Sequence, residues 1–187
     1  MKIGLIGASA VLLAVVMTTD AQAATPVAAK APACTPAGDC TTYKHLLNLP
    51  VGALSYGFGT FTPHPRGLDW ADNTGEVTLT VQRPADFKGD KVRLTLVYET
   101  RSDQSGDIAF GVTAISFHHG SSFETYGGFP TDTVDSPESP TILMQQSAVI
   151  ETGQGWGPDG PWWYFEIHRL GTYNAPLRLM AVTLEYE

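Results

Sequence analysis

Cysteine is scarce in this chain of 187 residues: there are two, Cys34 and Cys40, six positions apart. A closed zinc site wants a full set of soft ligands, and His45 is the one other candidate near that pair. In an oxidising compartment two cysteines so close, with Pro and Gly between them, form a small local disulfide. Basic charge is short as well. Eleven Lys and Arg stand against nineteen Asp and Glu, a net charge of -8. That balance excludes a basic face for nucleic acid and argues against an anionic membrane surface. There is no Gly-x-Ser-x-Gly elbow and no P-loop. With both thiols committed to each other, no cysteine is free for a Cys–His nucleophile. Nor does any segment carry the periodicity of a long amphipathic helix.

The one long hydrophobic run lies at the start. Lys2 supplies a positive n-region, Ile3 to Met17 is apolar apart from small residues, and Ala21-Gln-Ala23 makes a small-x-small site. Residues 1–23 therefore read as a signal peptide cleaved before Ala24. The run is shorter than the roughly 20 residues of a spanning helix, so a membrane anchor is not expected. The product is expected to be secreted or periplasmic. Residues 24–40 form a Pro/Ala-rich arm closed by the Cys34–Cys40 loop, and residues 41–187 form the folded domain, long enough for a real core.

Within that domain the dominant signal is alternation. Lys91 to Thr100 sets Val92, Leu94, Leu96 and Tyr98 on one face and Arg93, Thr95, Val97 and Glu99 on the other. A period of two over that length is what a half-buried strand requires. Further strands are expected at 53–61, 76–82, 107–118, 141–150, 162–169 and 177–186, and one short helical turn over 42–47. The separators, such as Asp72-Asn-Thr-Gly75 and Asp103-Gln-Ser-Gly106, supply turn residues. Short strands at this spacing indicate an all-β fold, a single antiparallel β-sandwich of jelly-roll type.

Several segments carry a resemblance. Asp86-Phe-Lys-Gly-Asp-Lys-Val-Arg-Leu-Thr-Leu-Val-Tyr-Glu-Thr, Ser105-Gly-Asp-Ile-Ala-Phe-Gly-Val, Glu166-Ile-His-Arg-Leu-Gly and the terminal Leu179-Met-Ala-Val-Thr-Leu-Glu-Tyr resemble a β-sandwich module of phage and prophage tail-fibre-type proteins and of secreted bacterial proteins. The resemblance spans residues 50 to 187 and implies a non-enzymatic structural or attachment role. The signal peptide and the cysteine arm depart from that pattern.

The most unusual local composition is Gly153-Gln-Gly-Trp-Gly-Pro-Asp-Gly-Pro-Trp-Trp-Tyr164. In the strand that follows, Trp163, Phe165 and Ile167 share the core face, while Trp162, Tyr164, Glu166 and His168 point the other way. Aromatics beside a carboxylate and an imidazole suit a sugar ring, whose C–H face stacks on the ring while its hydroxyls bond the polar groups. Trp156, Trp162, Tyr164, Glu166 and His168 are the candidate binding residues, with Trp70 and Tyr173 as extensions. Burial is the usual fate of tryptophan, so packing of these aromatics under the long loop or against the N-terminal arm is the reading the residues themselves favour.

Other constellations are weaker. His118-His119 splays its two imidazoles, and His64 and His168 stand at no ligand spacing from it, so no metal site is assigned. Asp132, Asp135 and Glu138 lie on an acidic loop that offers oxygen ligands for Ca²⁺ without the spacing of an EF-hand. Glu151, Asp159 and Glu166 supply carboxylates near the aromatic loop, yet nothing selects two of them as a glycosidase pair. The residues favour binding over catalysis and assign neither catalytic residue nor cofactor. Carbohydrate or a cell-surface protein is the expected partner. The alternatives are an assembly protein that forms homo-oligomers through sheet edges and the arm, and a glycan-active hydrolase.

Overall fold

A computed structural model describes residues 43–120, 127–153 and 155–187. The chain divides into Met1–Cys40 and Thr41–Glu187, and the described residues belong to the second unit. The signal segment, the arm and the Cys34–Cys40 pair lie outside them. Among the described residues no helix is long and apolar enough to cross a membrane.

Among the described residues twelve strands follow in order: β1 (His45–Leu49), β2 (Ser55–Tyr56), β3 (Phe61–His64), β4 (Gly67–Trp70), β5 (Glu76–Gln82), β6 (Lys91–Thr100), β7 (Asp107–Phe117), β8 (Gly127–Pro130), β9 (Val134–Asp135), β10 (Leu143–Glu151), β11 (Trp162–Leu170) and β12 (Leu177–Tyr186). A single 3-10 turn, Val51–Ala53, sits between β1 and β2. Among the described residues these strands pair antiparallel throughout, in two six-stranded sheets. Sheet I runs β10-β6-β12-β4-β3, with β1 also on β12; sheet II runs β2-β5-β11-β7-β8, with β9 also on β7. The fold is the all-β sandwich that the alternation indicates.

The core is filled by the inward half of each long strand. Val92, Leu94, Leu96 and Tyr98 of β6, Phe110 and Val112 of β7, and Trp163, Phe165 and Ile167 of β11 are all buried. Each such side chain removed from water contributes about 1.5–3 kcal/mol, which is what holds two polar-faced sheets together. Aromatic rings run through the layer, with Trp70 5.3 Å from Phe61 and Tyr98 5.2 Å from Phe110 between ring centroids.

Two local expectations are corrected. The expected turn over 42–47 gives way to β1, whose residues pair with β12 from His45↔Tyr186 to Leu49↔Val182. Five residues with ladder partners outweigh weak helical propensity. The single strand expected over 53–61 is broken into β2 and the start of β3. Between them Gly59 adopts φ +118°, a conformation that a continuous strand excludes.

Buried charge locks both sheets. Arg169 occupies an inward position of β11, where its Nη1 donates to the carbonyl of Asp72 at 2.7 Å and Nη2 to those of Tyr173 and Ala175 at 2.7 and 2.9 Å. Burial lowers its pKa to about 10. On the outward side of sheet I, Arg178 donates from Nη2 to Asp69 at 2.9 Å and from Nη1 to Glu99 at 3.3 Å. The Arg178 hydrogen bond holds the Asp69 carboxyl below its usual range.

Candidate functional site

The outward face of sheet II is built by register. Residues directly opposite in an antiparallel pair project to the same side. Four rungs result across β5, β11 and β7: Gln82–Trp162–Phe117, Thr80–Tyr164–Ile115, Thr78–Glu166–Thr113 and Glu76–His168–Gly111. Six residues of strand separate the first rung from the last, about 20 Å along β11. The face is aromatic and aliphatic at the Trp162 end, acidic and imidazole-bearing at the His168 end.

Exposure is greatest at the Trp162 end of this line. Trp162 is 43 % exposed, while Tyr164, Glu166 and His168 are half-buried. Four of the five residues expected at the site thus stand side by side on one face. The fifth does not. Trp156 retains 3 % exposure and packs edge-on against Trp163, with 5.7 Å between ring centroids. The glycine- and proline-rich loop folds its indole inward because burying that area outweighs leaving it in water. Trp70 and Tyr173 are corrected in the same way: both are fully buried. The Trp70 Nε1 donates to the Thr74 carbonyl at 2.8 Å.

The polar end holds a residue that the sequence reading passed over. Glu76 lies diagonally across from Glu166 and directly opposite His168. Burial, the Glu166 charge and a hydrogen bond to Glu166 raise the pKa of Glu76, and His168 counteracts them. Tyr164 is raised too, by burial and then by the charges of Glu166 and Glu76. Glycine makes room for both ends of the last rung. A Cβ at Gly111 would lie 2.3 Å from His168 Nε2, and one at Gly57 would lie 2.8 Å from Glu76 Oε1.

The carboxylates considered for hydrolysis are not brought together. Glu151 follows the core residue Ile150 and so projects from sheet I, whereas Glu166 projects from the opposite outer face on sheet II. Asp159 is exposed on the loop before β11. His118 and His119 are exposed at the end of β7. Asp135 pairs in β9 with Asp107, and the Asp132 carbonyl accepts from Thr131. Among the described residues no group of three or more His, Cys, Asp or Glu is placed to hold a metal ion.

No family model matches the chain, and no curated protein matches it. Solved structures that are similar include two of known description. One is a "xylan-binding module CBM15", with TM-score 0.48 and 13% identity over 76% of this chain and 96% of that one. The other is "Xylanase10C (mutant E385A) from Cellvibrio japonicus in complex with xylopentaose", with TM-score 0.47 and 14% identity over 75% of this chain and 28% of that one.

Proposed function

We propose that this chain is an exported, non-catalytic β-sandwich that binds carbohydrate on the outward face of sheet II. The observation that carries the reading is the four-rung face itself, with an accessible indole at one end and hydrogen-bonding groups in line with it. Trp162 stacks on a sugar ring, and Tyr164, Glu166 and His168, joined by Glu76, bond hydroxyls along the chain. A neutral glycan is favoured over an acidic one, because the polar end carries two carboxyls against one imidazole. The test is an array of bacterial and plant glycans probed with the wild type and with Trp162→Ala. The reading expects binding that the substitution removes; a silent array, or binding that Trp162→Ala leaves unchanged, overturns it.

One observation favours assembly as a second reading. Among the described residues strand β10 forms one edge of sheet I, and Ile142 just before it and Leu143 at its start are 48 % and 63 % exposed. An open edge beginning in aliphatic side chains invites strand addition. Sedimentation over a range of concentrations tests it: Leu143→Lys lowers the association if this edge is used.

A further inference from the structure

Strand β12 shares one edge between two neighbours. β4 pairs with Leu177 to Leu179, β1 pairs with Val182 to Tyr186, and Met180 and Ala181 are in register with neither. The register with β6 on the other edge shifts at this point. A cavity of about 650 Å³ opens at that gap, and none of the residues of the Trp162 face lines it. Polar and apolar surface line it about equally: Leu49, Val51, Tyr56, Pro63 and Met180 form the apolar part, and Arg66 and His64 supply the charge and the imidazole.

Arg66 connects the cavity to a charge cluster whose other members lie outside its lining, and that cluster is unbalanced. Around Glu99 stand three guanidiniums: Arg178 at 3.3 Å, Arg101 at 3.1 Å and Arg66 at 3.7 Å. Asp69, bound by Arg178, is the second carboxylate of the cluster. Three positive charges against two leave one over, in a protein whose overall charge is -8. The least engaged cation is Arg66, whose side chain is 59 % exposed and beyond hydrogen-bond reach of Glu99. Beside it, His64 Nδ1 accepts from the Arg66 backbone N–H at 3.1 Å. The hydrogen of a neutral His64 is therefore on Nε2, a second donor in the cavity wall.

We propose that this cavity is a second binding site, separate from the carbohydrate face, that takes a small monocarboxylate with an apolar body. The carboxylate pairs with Arg66, which restores neutrality to the cluster, and the apolar portion lies against Val51, Tyr56 and Met180 over the gap in β12. A guanidinium presents paired N–H donors that match a carboxylate, and partial enclosure strengthens the contact relative to water.

Isothermal titration of the full chain with 4-phenylbutyrate and with its neutral amide, 4-phenylbutyramide, tests the proposal. The wild type is expected to bind the carboxylate about tenfold more tightly than the amide. Arg66→Gln is expected to erase that difference, while Lys88→Gln, an equal loss of charge on an exposed loop residue, keeps it. Methionine methyl resonances locate the ligand, because Met180 lines the cavity and the half-buried Met144 lies on β10. Equal binding of acid and amide, no binding of either, an unchanged preference in Arg66→Gln, or a Met180 methyl that does not shift would each overturn the proposal.

Discussion

The imidazole of His168 lies so close over Gly111 that a Cβ at position 111 would sit 2.3 Å from its Nε2. Residue 111 is thus glycine because a side chain from the neighbouring strand occupies the space. Gly111→Ala is expected to push His168 off β7 at a cost of about 1–3 kcal/mol. Urea denaturation of Gly111→Ala and of Gly111→Ala/His168→Ala checks this. The second substitution should recover most of the loss, and a single variant as stable as the wild type would refute the contact.

Neighbouring tryptophans on β11 should behave as opposites. Trp163 is fully buried, and Trp163→Ala is expected to cost about 3–5 kcal/mol. Trp162 projects into solvent, so Trp162→Ala should change stability by less than about 1 kcal/mol while removing the stacking platform. Thermal unfolding of the two variants separates them.

The strand alternation made this division legible from the sequence, as it did the long strands 76–82, 91–100 and 177–186, whose inward residues are apolar except for Thr100 at the end of β6. It was silent on β4 and β8, because Gly67-Leu-Asp-Trp70 and Gly127-Gly-Phe-Pro130 are too short and glycine-rich to show a period. Glu76 belongs to the face only through the register of β5 against β11, and pairing across such a separation is not written in local pattern. Trp156 misled for a different reason. A loop of glycine and proline turns its side chains either way, and the Trp163 ring below it decided the direction.

The carboxyl pair gives stability a pH signature. The pKa of Glu76 is raised in the folded state, by burial first and then by Glu166. Its contribution is therefore present at acid pH and lost as pH rises through the folded value. Denaturation midpoints of the wild type and Glu76→Gln should converge near pH 4, and the variant should become relatively more stable towards pH 7. A difference that stays constant with pH would refute the assignment.

On sheet I the buried guanidinium of Arg178 holds Asp69 and Glu99 together across three strands. Arg178→Met leaves the buried Glu99 carboxylate with fewer partners, at an expected cost of about 3–5 kcal/mol. Urea titration at neutral pH measures it. A loss below about 1 kcal/mol would mean that Arg101 and Arg66 suffice for Glu99.

The central claim, that sheet II presents the carbohydrate-binding face, is tested most directly by the indole N–H resonances of the four tryptophans. Pentasaccharides of xylose, glucose, mannose and N-acetylglucosamine are titrated against the ¹⁵N-labelled protein. The account predicts that one of them shifts the Trp162 indole in a saturable manner while the buried Trp70, Trp156 and Trp163 stay in place. A Trp162 resonance that none of the sugars moves, or binding that shifts only the buried indoles, would contradict it.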